Sequence, residues 1–416
     1  MHLPKPFIGA VAGAFVTLQL LFLVNMTYLY GSAFQSSSRY HSLDILYVDY
    51  DHDVIGQSVM AGYQFVQSPG FVSLHEKPAD EYPSPSDIRQ AVCRGDYWGA
   101  IYTNSDASKR LSNALTDPQL AASYDSSQAL TYVVNTAKYA STAEIISGNL
   151  QGVVSAARSA YTAINGTAVM ATVNTTNPAI ANTLFNPISA STIDIKPSTQ
   201  GTRFFYNTVG MVMPILQQFF FVMALNGISA QFGLFRSNSL TQNIALRVLI
   251  SFAYTLVAAL LNTGYIWYFR ESWLTTSSQF GLTWMAFWLA MHVNFLIIDT
   301  ATAFIPMQFM SFFVLTWVII NVTSTIFPFE ISPGFYRVGY ALPAHELYET
   351  LVDIWTEGCN PILYRSLPIL FSWWIVGWVA FGAGMWKRVS GARAEVKDMP
   401  RGDSRGEEVE LVKASA

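Results

Sequence analysis

Six stretches of the chain carry no charged side chain: between Lys5 and Arg39, Arg203 and Arg236, Arg247 and Arg270, Glu271 and Asp299, Asp299 and Glu330, and Arg365 and Lys387. Each holds the roughly 20 apolar residues that a helix needs to cross a bilayer core. Backbone amides in hydrocarbon must be bonded within their own segment, so runs of this kind are helices. The pattern predicts six transmembrane helices, near 7–29, 207–230, 246–268, 281–298, 302–326 and 367–386. The first is longer than the apolar core of a signal peptide and reads as a retained anchor. Asp299 falls between the fourth and fifth helices and reads as a cap on the fifth at its cytosolic end. Pro214 and Pro306 are candidate kinks.

Between the first two helices the period changes. "LDILYV" is a β-branched and aromatic run, and "DVIGQSVMAGYQFV" after it has apolar residues at helical spacing. "DYWGAIYT" (96–103) and "ALTYVVN" (129–135) repeat the strand signal, each followed by a helical stretch, the second from about Tyr139 to Ala163. Alternating strands and helices imply an α/β domain with at least partly parallel strands. Residues 166–200 are rich in Asn, Thr and Pro and read as loop. The expected fold class is an α-helical multi-pass membrane protein with an extracytosolic α/β domain inserted between helices one and two. Its divisions are 1–30 (tail and first helix), 31–206 (α/β domain), 207–386 (five membrane helices with an outer loop at 327–366) and 387–416, a disordered cytosolic tail.

Composition agrees: 12% of residues are charged, against about 25% in soluble domains, which excludes a soluble enzyme. Lys5, Arg236, Lys387, Arg388 and Arg393 mark one face as cytosolic by the positive-inside rule, placing 31–206 and 327–366 outside or in a lumen. Two glycosylation sequons, at Asn165 and Asn174, fall in the outer segment; those at Asn25 and Asn321 lie in or beside the membrane and read as accidental. The two cysteines, Cys93 and Cys359, share the oxidising side, and sequence leaves open whether they are bonded or are buried thiols.

The acids of "LYVDYDHDV" invite a metal reading. Asp49, Asp51 and Asp53 match positions one, three and five of a calcium loop, but Val54 replaces the glycine and Met60 the final glutamate. The better reading is a solvated strand end, with Asp53 capping the next helix and His52 without a catalytic partner. There is no phosphate-binding G-x-x-x-x-G-K-[ST] run, "HELYE" has Glu349 where a zinc helix needs histidine, and neither "GQSVM" nor "GISAQ" completes a nucleophile elbow. No catalytic, cofactor or metal constellation is expected, and no nucleic-acid partner. Polar residues within the spans are the pathway candidates: Gln217, Gln218, Asn226, Asn262, His292 and Asn294, with His292 first because it can titrate. For neutral amides the commoner role is helix-to-helix glue. Leu347, Leu351 and Ile354, with Tyr348 and Trp355, predict an amphipathic helix lying at the outer interface, with Glu346, Glu349 and Asp353 elsewhere on it. Ser390 follows Lys-Arg-x and is a candidate phosphorylation site at the start of the tail.

"NVTSTIFPFEISPGFYRVGYALPAHELYETLVDIW" with "LPILFSWW" resembles the fungal nitrosoguanidine-resistance membrane protein family, most specifically in the run 333–343. "ILYVDYDHDVIGQSV", "VCRGDYWGAIYTNSDASKRL" and "LTYVVNTAKYASTAEIISGNL" are similar to the extracytosolic domain of ABC-2-type permeases. The first resemblance implies toxic-compound resistance and a link to lipid asymmetry at the plasma membrane, reached through the secretory pathway. The second implies protomers that pair as homodimers and a separate ATPase or flippase partner. The chain departs from that pattern: about six residues precede helix one, and helices four and five have almost no loop, which leaves an ATPase little beyond 231–245 and the tail to dock on. The expected function is a permease-like protein, without an ATPase of its own, that moves amphiphilic toxicants or membrane lipids or controls their movement. The alternative is a non-transporting scaffold or regulator of other transporters.

Overall fold

A computed structural model describes residues 5–398, with side chains over 6–394. Helix α1 (Lys5–Ser32) leads through a short 3-10 turn into an alternating region: β1 (Asp44–Asp49), α2 (Val54–Val66), β2 (Ser73–Lys77), α3 (Pro85–Arg94), β3 (Gly99–Thr103), α4 (Ala107–Thr116), α5 (Pro118–Ser123), β4 (Leu130–Val134), α6 (Ala140–Thr172), α7 (Pro178–Phe185) and β5 (Ala190–Asp194). The strands form one sheet in the order β2-β1-β3-β4-β5. Pairing is parallel except between β3 and β4, which run antiparallel. Central β1, β3 and β4 are almost wholly buried, as their β-branched and aromatic runs require. α2 lies along α6 so closely that a Cβ on Gly62 would stand 2.5 Å from the carbonyl carbon of Ala156. Only glycine allows that approach.

The rest is helical: α8 (Val209–Gln231), α9 (Leu234–Ser237), α10 (Leu240–Tyr268), α11 (Ser277–Phe304), α12 (Met310–Ile326), α13 (Pro343–Trp355) and α14 (Leu363–Asp398). Among the described residues six helices are long and apolar enough to cross a membrane: α1, α8, α10, α11, α12 and α14. The protein is a multi-pass membrane protein. α11 is the most enclosed, packed by α8, α10, α13 and α14, while α1 stands at the edge against α12. The end of the bundle that carries the sheet is here called the domain side.

Several sequence-based boundaries move. α11 does not stop at Asp299 but runs to Phe304, and Pro306 sits in the turn after it rather than kinking a helix. Asp299 does not cap a helix: it is fully buried in α11, where Arg247 and Arg388 neutralise it. The break comes at Ile305, extended because a residue before proline disfavours the helical region. Segment 166–200 is not a loop, since α6 continues to Thr172 and α7 and β5 follow. Residues 387–398 are not disordered but extend α14, held by Arg388; the rest of the expected tail, 399–416, lies outside the described residues. The stretch 343–355 forms the expected helix but does not lie at an interface. α13 is buried on every side, carboxylates included.

Candidate functional site

Beneath the sheet, α13 is plugged into the domain side of the membrane bundle. Tyr139, at the start of α6, donates from its hydroxyl to Glu349 Oε1 (2.8 Å), and its amide donates to the Tyr348 hydroxyl (2.7 Å). Asn360 donates to Glu349 Oε2 (2.7 Å) and accepts from Lys138 Nζ (3.0 Å). Burial alone would raise the Glu349 carboxyl, but Lys138, His345 and these hydrogen bonds together hold it below its ordinary range. A disulfide between Cys93 of α3 and Cys359, just past α13, fastens the same junction. The bonded alternative for the two cysteines is the one the fold adopts.

The other α13 carboxylates differ. Glu346 pairs with Arg365 Nε at 3.3 Å; burial pushes it up to about 7 against the pull of that arginine. His345 donates from Nδ1 to the Ser324 carbonyl (2.8 Å), its buried Nε2 has no partner among the described residues, and burial lowers its basicity. Asp353 is 7% exposed, and its Oδ1 has no hydrogen-bond partner among the described residues. Burial alone pushes its carboxyl up to about 6. It stands at the rim of a cavity.

That cavity has a volume of about 970 Å³ and lies between α11 and α14, beneath α13. Leu282, Met285 and Leu289 of α11 face Leu367, Phe371 and Trp374 of α14, and Phe252 of α10 with His292 form its floor. From Ser278 at the rim to His292 at the floor is about 21 Å of helix, well over half of a ~30 Å hydrocarbon core. The lining includes no lysine or arginine; its charged side chains are Asp353 and Glu357, both at the rim. Glu357 is largely exposed, with Lys196 Nζ 3.8 Å away. The arrangement is an open apolar groove with acids at one end, and Leu282 and Phe371 of its walls are about half exposed; apolar walls with few polar groups are the usual build of a small-molecule site.

The sequence-predicted pathway residues do not line one route. Asn262 donates to Gln217 Oε1 (2.9 Å), joining α10 to α8. Asn294 accepts from Trp317 Nε1 (2.9 Å), joining α11 to α12. Asn226 donates to Thr302 (2.9 Å) and accepts from Arg247. Gln218 is fully buried, with neither amide atom partnered among the described residues. His292 alone of the six reaches the cavity, and both its nitrogens are engaged: Nδ1 accepts from Trp374 Nε1 (2.8 Å) and Nε2 meets Ser251 Oγ at 3.2 Å. A ring accepting at Nδ1 and donating at Nε2 is neutral. His292 thus ties α11 to α10 through Ser251 and to α14 through Trp374.

The opening acids are not a solvated strand end, as expected, apart from Asp53, which caps α2 by accepting from Val54 N (2.7 Å). Asp49 accepts from the amides of Asp51 (3.0 Å) and His52 (3.1 Å) and from Thr103, and Asp51 accepts from Ser108 N (2.9 Å). The acids therefore tie the β1–α2 turn to the β3–α4 turn. A Cβ on Gly56 would collide with the Asp49 carboxylate, so the glycine belongs to the same knot. No cluster of metal-ligating side chains forms among the described residues.

The two sequons differ. Asn174 is exposed in a turn, its Oδ1 accepting from Thr176 N (3.2 Å) and Thr176 Oγ1 (2.6 Å). Asn165 lies inside α6 with its amide nitrogen buried and unpartnered among the described residues. Ser390 is exposed on α14. Residues that sequence reasoning missed are Asp353, placed on the helix but not in a site, and the Arg247–Asp299–Arg388 cluster. Charges at 247 and 299, inside or beside apolar runs, were the available signal.

No solved structure matches the chain. The sequence profile of the family described as protein of unknown function (DUF3533) matches residues 14–379, from within α1 through the sheet and cavity into α14, and the chain belongs to that family.

Proposed function

We propose that this is a permease-like membrane protein that takes amphiphilic molecules into the cavity between α11 and α14 and moves them, or controls their movement, across the bilayer. The observation that carries the reading is the cavity itself: an apolar groove of about 970 Å³ between α11 and α14, running from Asp353 and Glu357 at one end to His292 at the other. The resemblance of run 333–343 to the nitrosoguanidine-resistance family supports a role in toxic-compound resistance. No catalytic constellation is invoked, and the protein is read as non-enzymatic. On the side opposite the sheet, α8 and α10 are joined through 232–239, a short surface for any separate ATPase or flippase partner. Membrane lipids and a second copy of the chain are the other proposed partners.

The domain side is proposed to face outside or a lumen. The Cys93–Cys359 disulfide favours an oxidising compartment, and Arg236, Lys387 and Arg393 cluster at the other end. The plasma membrane, reached through the secretory pathway, is the proposed location. Asn174→Gln is expected to remove a glycan and speed gel migration, whereas Asn165→Gln leaves migration unchanged. No shift in either variant contradicts the sidedness; the reverse pattern keeps the sidedness and moves the glycan to Asn165.

A second reading has its own support. At the end of the cavity away from Asp353, His292 is bonded to Trp374 and to Ser251, a fixed floor that suits a sensor or regulator of other transporters. Reconstitution in liposomes separates the two. Faster transbilayer movement of a labelled amphiphile than in protein-free vesicles supports the permease; binding without faster movement supports the regulator.

A further inference from the structure

The mouth of the cavity specifies more than amphiphilicity. We infer that it selects lipophilic cations, with the Asp353 carboxylate as the counter-charge for the head group and the α11–α14 walls as the seat of the apolar body. This rests on the reading of the cavity as an amphiphile site and names its substrate class.

Three observations point the same way. Asp353 is 7% exposed, and its buried Oδ1 has no hydrogen-bond partner among the described residues. A buried carboxylate oxygen without a donor is costly, and a cation seated beside it removes that cost. Every fixed charge on the lining is negative, so an anionic head group would meet repulsion. The walls below are aliphatic and aromatic, with Trp288, Phe371 and Trp374 among them, and aromatic rings tolerate a nearby cation.

The groups around Asp353 leave it free for this role. On its own helix, Glu349 is one turn away and occupied by Asn360 and Tyr139. From α11 come the neutral Thr276 and Gln279, the latter donating to the Ile354 carbonyl (3.0 Å). From α14, Arg365 is turned to Glu346. Past the end of α13, Glu357 stands near Lys196. The other titratable side chain on the lining, His292, is at the floor.

The test uses the full-length protein in nanodiscs of zwitterionic lipid and two radiolabelled probes of equal chain length, dodecyltrimethylammonium and dodecanol, with empty nanodiscs subtracted. The cation should bind more tightly than the alcohol. Asp353→Asn, close to isosteric, should weaken cation binding by roughly tenfold or more and leave alcohol binding within about twofold. Asp353→Glu should restore cation binding in part. Because the quaternary ammonium carries no titratable proton, wild-type binding should fall as pH drops through about 6, where Asp353 takes up a proton. Alcohol binding should stay level. If Asp353→Asn does not fold, the wild-type pH profile decides.

Equal cation binding by wild type and Asp353→Asn, with no fall at acid pH, overturns the inference while alcohol binding keeps the cavity reading intact. If neither probe binds above empty nanodiscs, the cavity reading itself fails, and this inference with it. Binding that appears only after a dimer is dissociated would show a second copy covering the cavity, and would also overturn it.

Discussion

Asp299→Ala will destabilise the folded protein by about 3–5 kcal/mol, the usual cost of leaving buried charges without their partner. Arg247 donates to Asp299 Oδ1 from Nε (2.9 Å), and Arg388 donates to Oδ2 from Nη1 (3.0 Å). Arg388 also bonds the Asp299 carbonyl and Thr302, and Arg247 bonds Asn226, so one carboxylate links α8, α10, α11 and α14. Removing it leaves two largely buried guanidinium groups, 4% and 10% exposed, without their counter-charge. The expected result is little monodisperse protein on size exclusion and a much lower unfolding temperature. Asp299→Asn keeps an acceptor and should be milder. Replacing Arg247, Asp299 and Arg388 together with Met, Leu and Met should recover much of the loss, because the apolar set leaves no charge unpaired. Wild-type behaviour of Asp299→Ala would show that the cluster does not hold the bundle.

The second large effect is expected at the junction between sheet and membrane. Cys93→Ser with Cys359→Ser should cost about 2–4 kcal/mol. The bond closes a loop of 266 residues. Membrane insertion of α1 and α8 already confines that loop when the sheet unfolds, so the entropic gain falls short of the free-chain value. What remains at the junction is Lys138–Asn360, Tyr139–Glu349 and Tyr139–Tyr348, polar contacts that water can replace once the clamp opens. Reductant should therefore lower the unfolding temperature of the wild type and expose the 135–139 and 356–362 segments to protease. Reductant should not affect the double variant. An unfolding temperature insensitive to reductant contradicts this account.

The membrane helices were legible because charge is so costly in lipid that its absence marks them. Their number stands, while their ends moved by as many as 12 residues, from 386 to 398 at the end of α14. The central strands were legible for a related reason, since β1, β3 and β4 are buried on both faces and read as continuous apolar runs. The edge strands β2 ("SLHEK") and β5 ("ASTID") were not, because half-exposed edges need no apolar pattern. α13 was misread for a deeper reason. A polar helix face looks the same in sequence whether it meets water or buried partners, and its partners Lys138 and Tyr139 lie more than 200 positions away, by the separations of 222 and 210 between 138 and 360 and between 139 and 349. Asp299 was misplaced likewise, its arginines standing 52 and 89 residues off. The cavity had no sequence signature, because its lining residues are ordinary membrane residues until the fold leaves space between them. His292 was singled out for its chemistry and does reach the site, although as part of the floor.

The claim that the α11–α14 cavity holds amphiphiles is tested most directly by photolabelling. An amphiphile with a diazirine in its alkyl tail, irradiated with the full-length protein in nanodiscs, reports which residues the tail touches. The account predicts adducts concentrated on Leu282, Met285, Leu289, Leu367 and Phe371 and suppressed by excess unlabelled amphiphile. Adducts that resist competition and fall as densely on the lipid-facing surface of α1, at Phe15, Leu20 and Leu23, would contradict it.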